Sequence, residues 1–171
     1  YTLRFARPIH WILALYGGNV IPLKIEDIES GNTSCGHRFM SPASFAVTGF
    51  EDYLNKAREN FVIADPAERR KLILEEAEKS AAEVGGKLFY TDDLLETVSF
   101  IVEYPVIVRG GYEEDYLKIP KDVLTTTMIS HQKYFPVVNE AGKLLPYFIA
   151  VSNTKPRDIS VVAKGNERVL R

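Results

Sequence analysis

The sequence predicts an α+β fold. Runs rich in β-branched and aromatic residues, broken by glycine-containing turns, lie near both ends of the chain. Between them, apolar residues recur every three or four positions, each stretch opened by a helix-start signal. The 171 residues are 46% hydrophobic and 26% charged, which excludes an intrinsically disordered or collagen-like chain. A domain of this length buries roughly 70% of its unfolded surface, enough to fold without disulfides or metal. The single cysteine, Cys35, excludes both an internal disulfide framework and a cysteine-only zinc site. No apolar run approaches the ~20 residues that cross a bilayer.

Taken in order, Ile9–Tyr16 and Val20–Ile25 read as strands joined at Gly17-Gly18-Asn19, a hairpin in which Pro22 must sit at an edge or a bulge. Ser30–Gly36 is a loop by composition. Phe50–Asn60 is a helix. Asp65-Pro66 starts the next one, with Leu72, Ile73, Ala77, Ala81 and Val84 on its apolar face and Gly85-Gly86 as its stop. A short strand at Lys87–Tyr90 precedes a helix opened by Thr91, whose buried stripe is Leu94, Leu95, Val98, Ile101 and Val102 and which Pro105 ends. Val106–Arg109 is a strand leading to Gly110-Gly111, read as a turn. Pro120 begins a helix to about Ser130 with Val123, Leu124 and Met128 inward. Tyr134–Val138 and Leu145–Val151 form a second hairpin around residues 139–142, and residues 161–171 read as the start of an exit helix. The sum is a single domain over 1–171, with β-hairpins and about four helices before that exit.

The net charge of -2 and pI near 6.0 argue against a protein that coats nucleic acid non-specifically. Charge is unevenly divided, however. Residues 51–116 carry eight Lys/Arg against sixteen Asp/Glu, whereas residues 117–171 carry nine against four. The basic final third therefore offers cations to a polyanion if folding gathers them.

No motif announces catalysis. Cys35 and His37 have a spacing that can chelate a metal, but a complete site would need His10 and His131 to converge on them. Cys35 with His37 or His131 could form a thiolate pair, yet nothing local marks the thiol as activated. Walker and Rossmann phosphate cradles are absent. Neither a catalytic residue nor a metal ligand is assigned. Two constellations carry more content. Gly36-His37-Arg38-Phe39 follows a loop of small residues and can offer Arg38 and His37 to a phosphate or base edge. His131-Gln132-Lys133-Tyr134-Phe135 alternates donors with aromatics: Lys133 suits a phosphate, Gln132 a base edge, and Tyr134 an unpaired base.

Seven ordered blocks, Phe5–Ile12, Ser30–Thr33, Gly36–Phe39, His131–Val137, Leu145–Phe148, Val151–Asn153 and Gly165–Arg171, resemble the β subunit of the bacterial heteromeric glycyl-tRNA synthetase. The resemblance implies a three-layer α+β fold similar to the B3/B4 domain of the phenylalanyl-tRNA synthetase β subunit. It also implies glycine tRNA as a partner, and an α subunit joined in a heterotetramer of two α and two β chains. ATP and Mg²⁺ would act at that α subunit, with no cofactor in this chain. The opening Tyr1–Phe5, with neither initiator Met nor signal pattern, suits a piece of a longer cytoplasmic chain with no membrane segment.

The leading expectation is a tRNA-contacting domain, with Arg38 and Lys133 on phosphates and His37, His131, Gln132 and Tyr134 on bases, sugars or the terminal adenosine. One alternative is an editing hydrolase of mischarged tRNA using His131 or His37 as its base. A glycine site needs editing less, because it excludes larger side chains by steric clash. The other alternative is a scaffold domain.

Overall fold

The computed structural model describes residues 8–170, so Phe5–Arg7 of the first family-like block and Arg171 of the last lie outside the described residues. The chain is α+β and divides into two compact units, Tyr1–Ala64 and Asp65–Arg171. None of its described helices is long and apolar enough to cross a membrane.

The first unit is built from short strands: β1 (Ile12–Leu13), β2 (Leu15–Tyr16), β3 (Asn19–Val20), β4 (Lys24–Ile25), β5 (Ile28–Gly31), β6 (Thr33–Cys35) and β7 (Ser44–Ala46), followed by helix α1 (Phe50–Glu59). β2 and β3 form the expected hairpin, and Gly17 and Gly18 both take positive φ, as a tight two-residue turn requires. The longer strands expected around it are broken. Ile12–Leu13 leaves the hairpin to pair in parallel with β5, which also pairs antiparallel with β4. Pro22 lies between strands, where its missing N–H costs no ladder bond. The Ser30 hydroxyl spans it, donating to the Ile21 carbonyl at 2.6 Å and accepting from the Leu23 N–H at 3.0 Å. The loop expected at Ser30–Gly36 is instead largely strand, because Thr33–Cys35 pairs with Ser44–Ala46. Small polar residues there take their backbone partners from across the hairpin rather than from a turn.

The second unit is a four-stranded antiparallel sheet with helices. α2 (Pro66–Ala82) opens as predicted, with the Asp65 carboxylate accepting from the Ala67 N–H at 2.8 Å. β8 (Lys87–Leu88) leads to α3 (Asp92–Ile101), capped by the Thr91 hydroxyl accepting from the Leu94 N–H. β9 (Val106–Gly111), β10 (Phe135–Val138) and β11 (Leu144–Ser152) complete the sheet in the order β8-β10-β11-β9. Between β9 and β10 run a 3₁₀ turn (Glu114–Lys118), α4 (Lys121–Thr126) and a π-helical turn (Thr127–Gln132). α5 (Ile159–Val169), capped by Asp158, packs along β9, where the Glu167 carboxylate accepts from the Gly111 N–H at 2.9 Å. That bond covers part of an otherwise open sheet edge.

Strand alternation splits the core into two clusters. Phe135, Val137 and Ile149 pack with Ile73, Ala77, Leu95 and Val98 of α2 and α3, whereas Phe148 and Ala150 pack with Met128, Tyr134 and Leu124. Three expectations differ from the fold. Gly110-Gly111 is strand rather than turn, paired with Phe148 and Tyr147 of β11, and glycine is needed at 110 because a Cβ there would sit 2.8 Å from Cε1 of the Phe148 ring. Ile101 and Val123 point to solvent, at 61% and 55% exposure. The helix expected from Pro120 to Ser130 widens into the π turn after Thr126.

Candidate nucleic-acid interface

Gly36–Phe39 forms a turn fastened to the C-terminal end of α1. A Cβ at Gly36 would lie 2.8 Å from the Cβ of Asn60, so only glycine lets the turn press this close. Two further bonds hold it there, and a third orients the Asn60 amide. The His37 N–H donates to the Asn60 carbonyl at 2.8 Å, the Ser41 hydroxyl donates to Asn60 Oδ1 at 2.7 Å, and Asn60 Nδ2 donates back to the Lys56 carbonyl at 2.8 Å.

His37 is 1% exposed, and its Nδ1 accepts from the backbone N–H groups of Phe39 and Met40, each at 3.3 Å. Nε2 therefore carries the ring proton, and it finds no hydrogen-bond partner among the described residues. The imidazole thus organises the turn from inside. What the turn presents outward is Arg38, exposed and without an ion pair among the described residues, and Phe39, 77% exposed. A guanidinium beside an aromatic ring suits a phosphate next to an unstacked base.

The second constellation lies in the other unit. The π turn ends at Lys133, which takes a left-handed conformation with φ 59° and ψ 34°. For a residue with a side chain this costs about 1–2 kcal/mol. Lys133 caps the C-terminal end of the π turn, which the Tyr134 N–H closes by donating to the Met128 carbonyl at 2.8 Å. Lys133 Nζ donates to the Ser130 carbonyl at 3.0 Å, which leaves two ammonium protons for another acceptor. His131 is exposed, while Gln132 and Lys133 are half-buried. Tyr134 is 8% exposed and stacks on Phe148 with ring centres 4.6 Å apart, so one of its faces is already covered. Burial pushes its hydroxyl pKa up from the ordinary value.

Other cations collect at the β10–β11 turn, which composition alone does not reveal. Lys121 Nζ donates to the Gly142 carbonyl at 2.8 Å beside the exposed Lys143, and Lys87 reaches the same turn through Glu140 at 2.7 Å. Lys133 precedes β10 and this turn follows it, so Lys133 and the Lys87, Lys121 and Lys143 group stand at opposite ends of one strand. Arg157 and Arg168 are also exposed and unpaired among the described residues. Asn60, the anchor of the first turn, has no signal in the sequence beyond its place at a helix end.

The family model described as glycyl-tRNA synthetase beta subunit matches residues 1–171. The glycine–tRNA ligase beta subunit of Syntrophus aciditrophicus is 60% identical over 168 residues, covering 98% of this chain and 24% of the relative. The proteins of the same name from Syntrophotalea carbinolica and Geobacter sulfurreducens are 52% and 50% identical, each covering 99% of this chain and 25% of the relative. The chain thus spans about a quarter of the length of the curated relatives it matches. With a match that runs from the first residue to the last, the chain belongs to the glycyl-tRNA synthetase beta subunit family.

Proposed function

We propose that this region contacts glycine tRNA within a synthetase that attaches glycine to it in the cytoplasm. Activation of glycine with ATP and Mg²⁺ falls to an α subunit, in an assembly of two α and two β chains. The observation that carries this reading is the Gly36–Phe39 turn. Its internal bonds are spent on fixing the backbone, and the side chains left outside are a cation and an aromatic ring. Adjacent in the chain, the Arg38 guanidinium and the Phe39 ring together offer a phosphate contact and a stacking surface.

The contact is electrostatic and local, which the overall acidic charge does not oppose. Arg38 grips a phosphate and Phe39 stacks on a neighbouring base. Lys133 supplies a second phosphate contact, with His131 and Gln132 beside it. His37 acts indirectly, by holding the turn, and Tyr134, stacked on Phe148 in the core, acts by anchoring the chain that follows Gln132 and Lys133. A fold of the B3/B4 type is part of this proposal, supported by the sheet with a packed core on each face.

Photo-crosslinking of glycine tRNA to the complete synthetase tests the reading. Adducts are expected within residues 36–41 and 130–134. Adducts confined to other parts of the β chain would make this region a scaffold.

A further inference from the structure

A cavity of about 220 Å³ opens between the π turn, the end of α3 and α5. Its walls are mainly aliphatic, from Val98, Ile101, Val151 and Val162, and two side-chain amides line it as well, Gln132 from the π turn and Asn166 from α5. Val162 and Asn166 are four residues apart on one helix, so they present neighbouring side chains to the same space. Neither amide makes a hydrogen bond among the described residues. Lys133, strained into its left-handed conformation, lines the same cavity with ammonium protons to spare.

From this arrangement we infer that the cavity receives a single unstacked nucleobase of the bound RNA, read by Gln132 and Asn166. The inference rests on the tRNA-contact reading and adds to it the ligand and the residues that recognise it. Volume sets the scale: at about 220 Å³ the cavity has room for one planar heterocycle, and with the exposed Ile101 at its rim it opens to solvent, where the attached sugar and phosphate would remain. Chemistry sets the class. Each amide offers a donor and an acceptor, the combination that pairs with the edge of a base and with adenine in particular. Aliphatic walls suit the faces of the ring, while Lys133 can meet the attached phosphate. RNA is recognised in this manner at unpaired positions, where a base can leave its stack.

The test uses the complete synthetase and glycine tRNA in which 2-aminopurine replaces unpaired adenosines one at a time. One position is expected to brighten on binding, as its base leaves the stack for aliphatic surroundings. Gln132→Ala and Asn166→Ala should each abolish that signal and weaken binding about five- to a hundredfold. The salt dependence should stay as it was, because no cation is removed. Asn166→Leu keeps about the side-chain size, adds no charge and removes both donor and acceptor, so it reports on recognition should the alanine variant fold poorly. Unchanged affinity and fluorescence in the amide variants, with Arg38→Ala still weakening binding, would overturn the pocket and leave the tRNA reading standing. If Arg38→Ala and Lys133→Ala also bind tRNA normally, both fail. A lower melting temperature of the complete protein with unchanged tRNA affinity would assign the cavity to a neighbouring polypeptide segment, and overturn the inference.

Discussion

The backbone N–H of His37 donates to the carbonyl oxygen of Asn60 at 2.8 Å, joining the exposed Arg38 turn to the last turn of a helix. A cation held in this way loses little further entropy when it meets a phosphate, because its backbone is already ordered. Asn60 adds two side-chain bonds of its own, to the Ser41 hydroxyl and the Lys56 carbonyl. Asn60→Ala removes both and is expected to destabilise the protein by about 1–2 kcal/mol. Amide exchange at residues 36–41 should accelerate in the same variant, read by hydrogen exchange. Unchanged exchange there would mean that the turn is ordered by something else.

Gly110 faces the ring of Phe148 across two paired strands. Gly110→Ala places a methyl group against that ring in a packed core, and overpacking of this kind costs about 1–3 kcal/mol. Urea unfolding should show the loss, and Gly110→Ala combined with Phe148→Leu should recover part of it. Full stability in Gly110→Ala alone would contradict the packing described.

How far such features can be read from sequence depends on where their cause lies. Asp65 and Thr91 are legible because a cap acts on amides two or three residues away. Gly110 reads as a turn because the reason for its glycine is a ring on another strand. The Thr33–Cys35 strand is hidden for a similar reason: its partners are the amides and carbonyls of Ser44–Ala46, which no local preference reveals. The π turn continues the residue pattern of an ordinary helix, so nothing within Thr127–Gln132 predicts the widening. Within the candidate interface, Arg38 and Lys133 are readable as residue types. The burial of His37 and the anchoring by Asn60 exist only once α1 lies beside the turn.

Tyr112 gives a pH signature. Its hydroxyl donates to the Leu145 carbonyl at 2.8 Å, and burial pushes its pKa up from 10.0 to about 12. The folded state therefore holds this proton more tightly than the unfolded chain does. The associated stability is whole below pH 10 and fades as pH rises toward 12. Tyr112→Phe should cost about 1 kcal/mol at neutral pH. Its urea midpoint should also decline less steeply than that of the parent protein above pH 10. Parallel alkaline profiles for the two proteins would assign the titration elsewhere.

Lys133 separates stability from binding. Lys133→Gly relieves the left-handed backbone strain and should raise stability by about 1 kcal/mol, while removing the ammonium group should weaken tRNA binding. Denaturant unfolding and filter binding on the same preparations check both halves. A variant that is stabilised and binds tRNA as before would show that the strain serves no RNA contact.

Arg38 bears most directly on the whole account, and the measurement is the salt dependence of tRNA binding by the complete synthetase carrying Arg38→Ala. Loss of one phosphate contact should lower the slope of log affinity against log salt by about 0.7–0.9. A slope identical to that of the parent protein would contradict the assignment of this exposed turn to the RNA backbone.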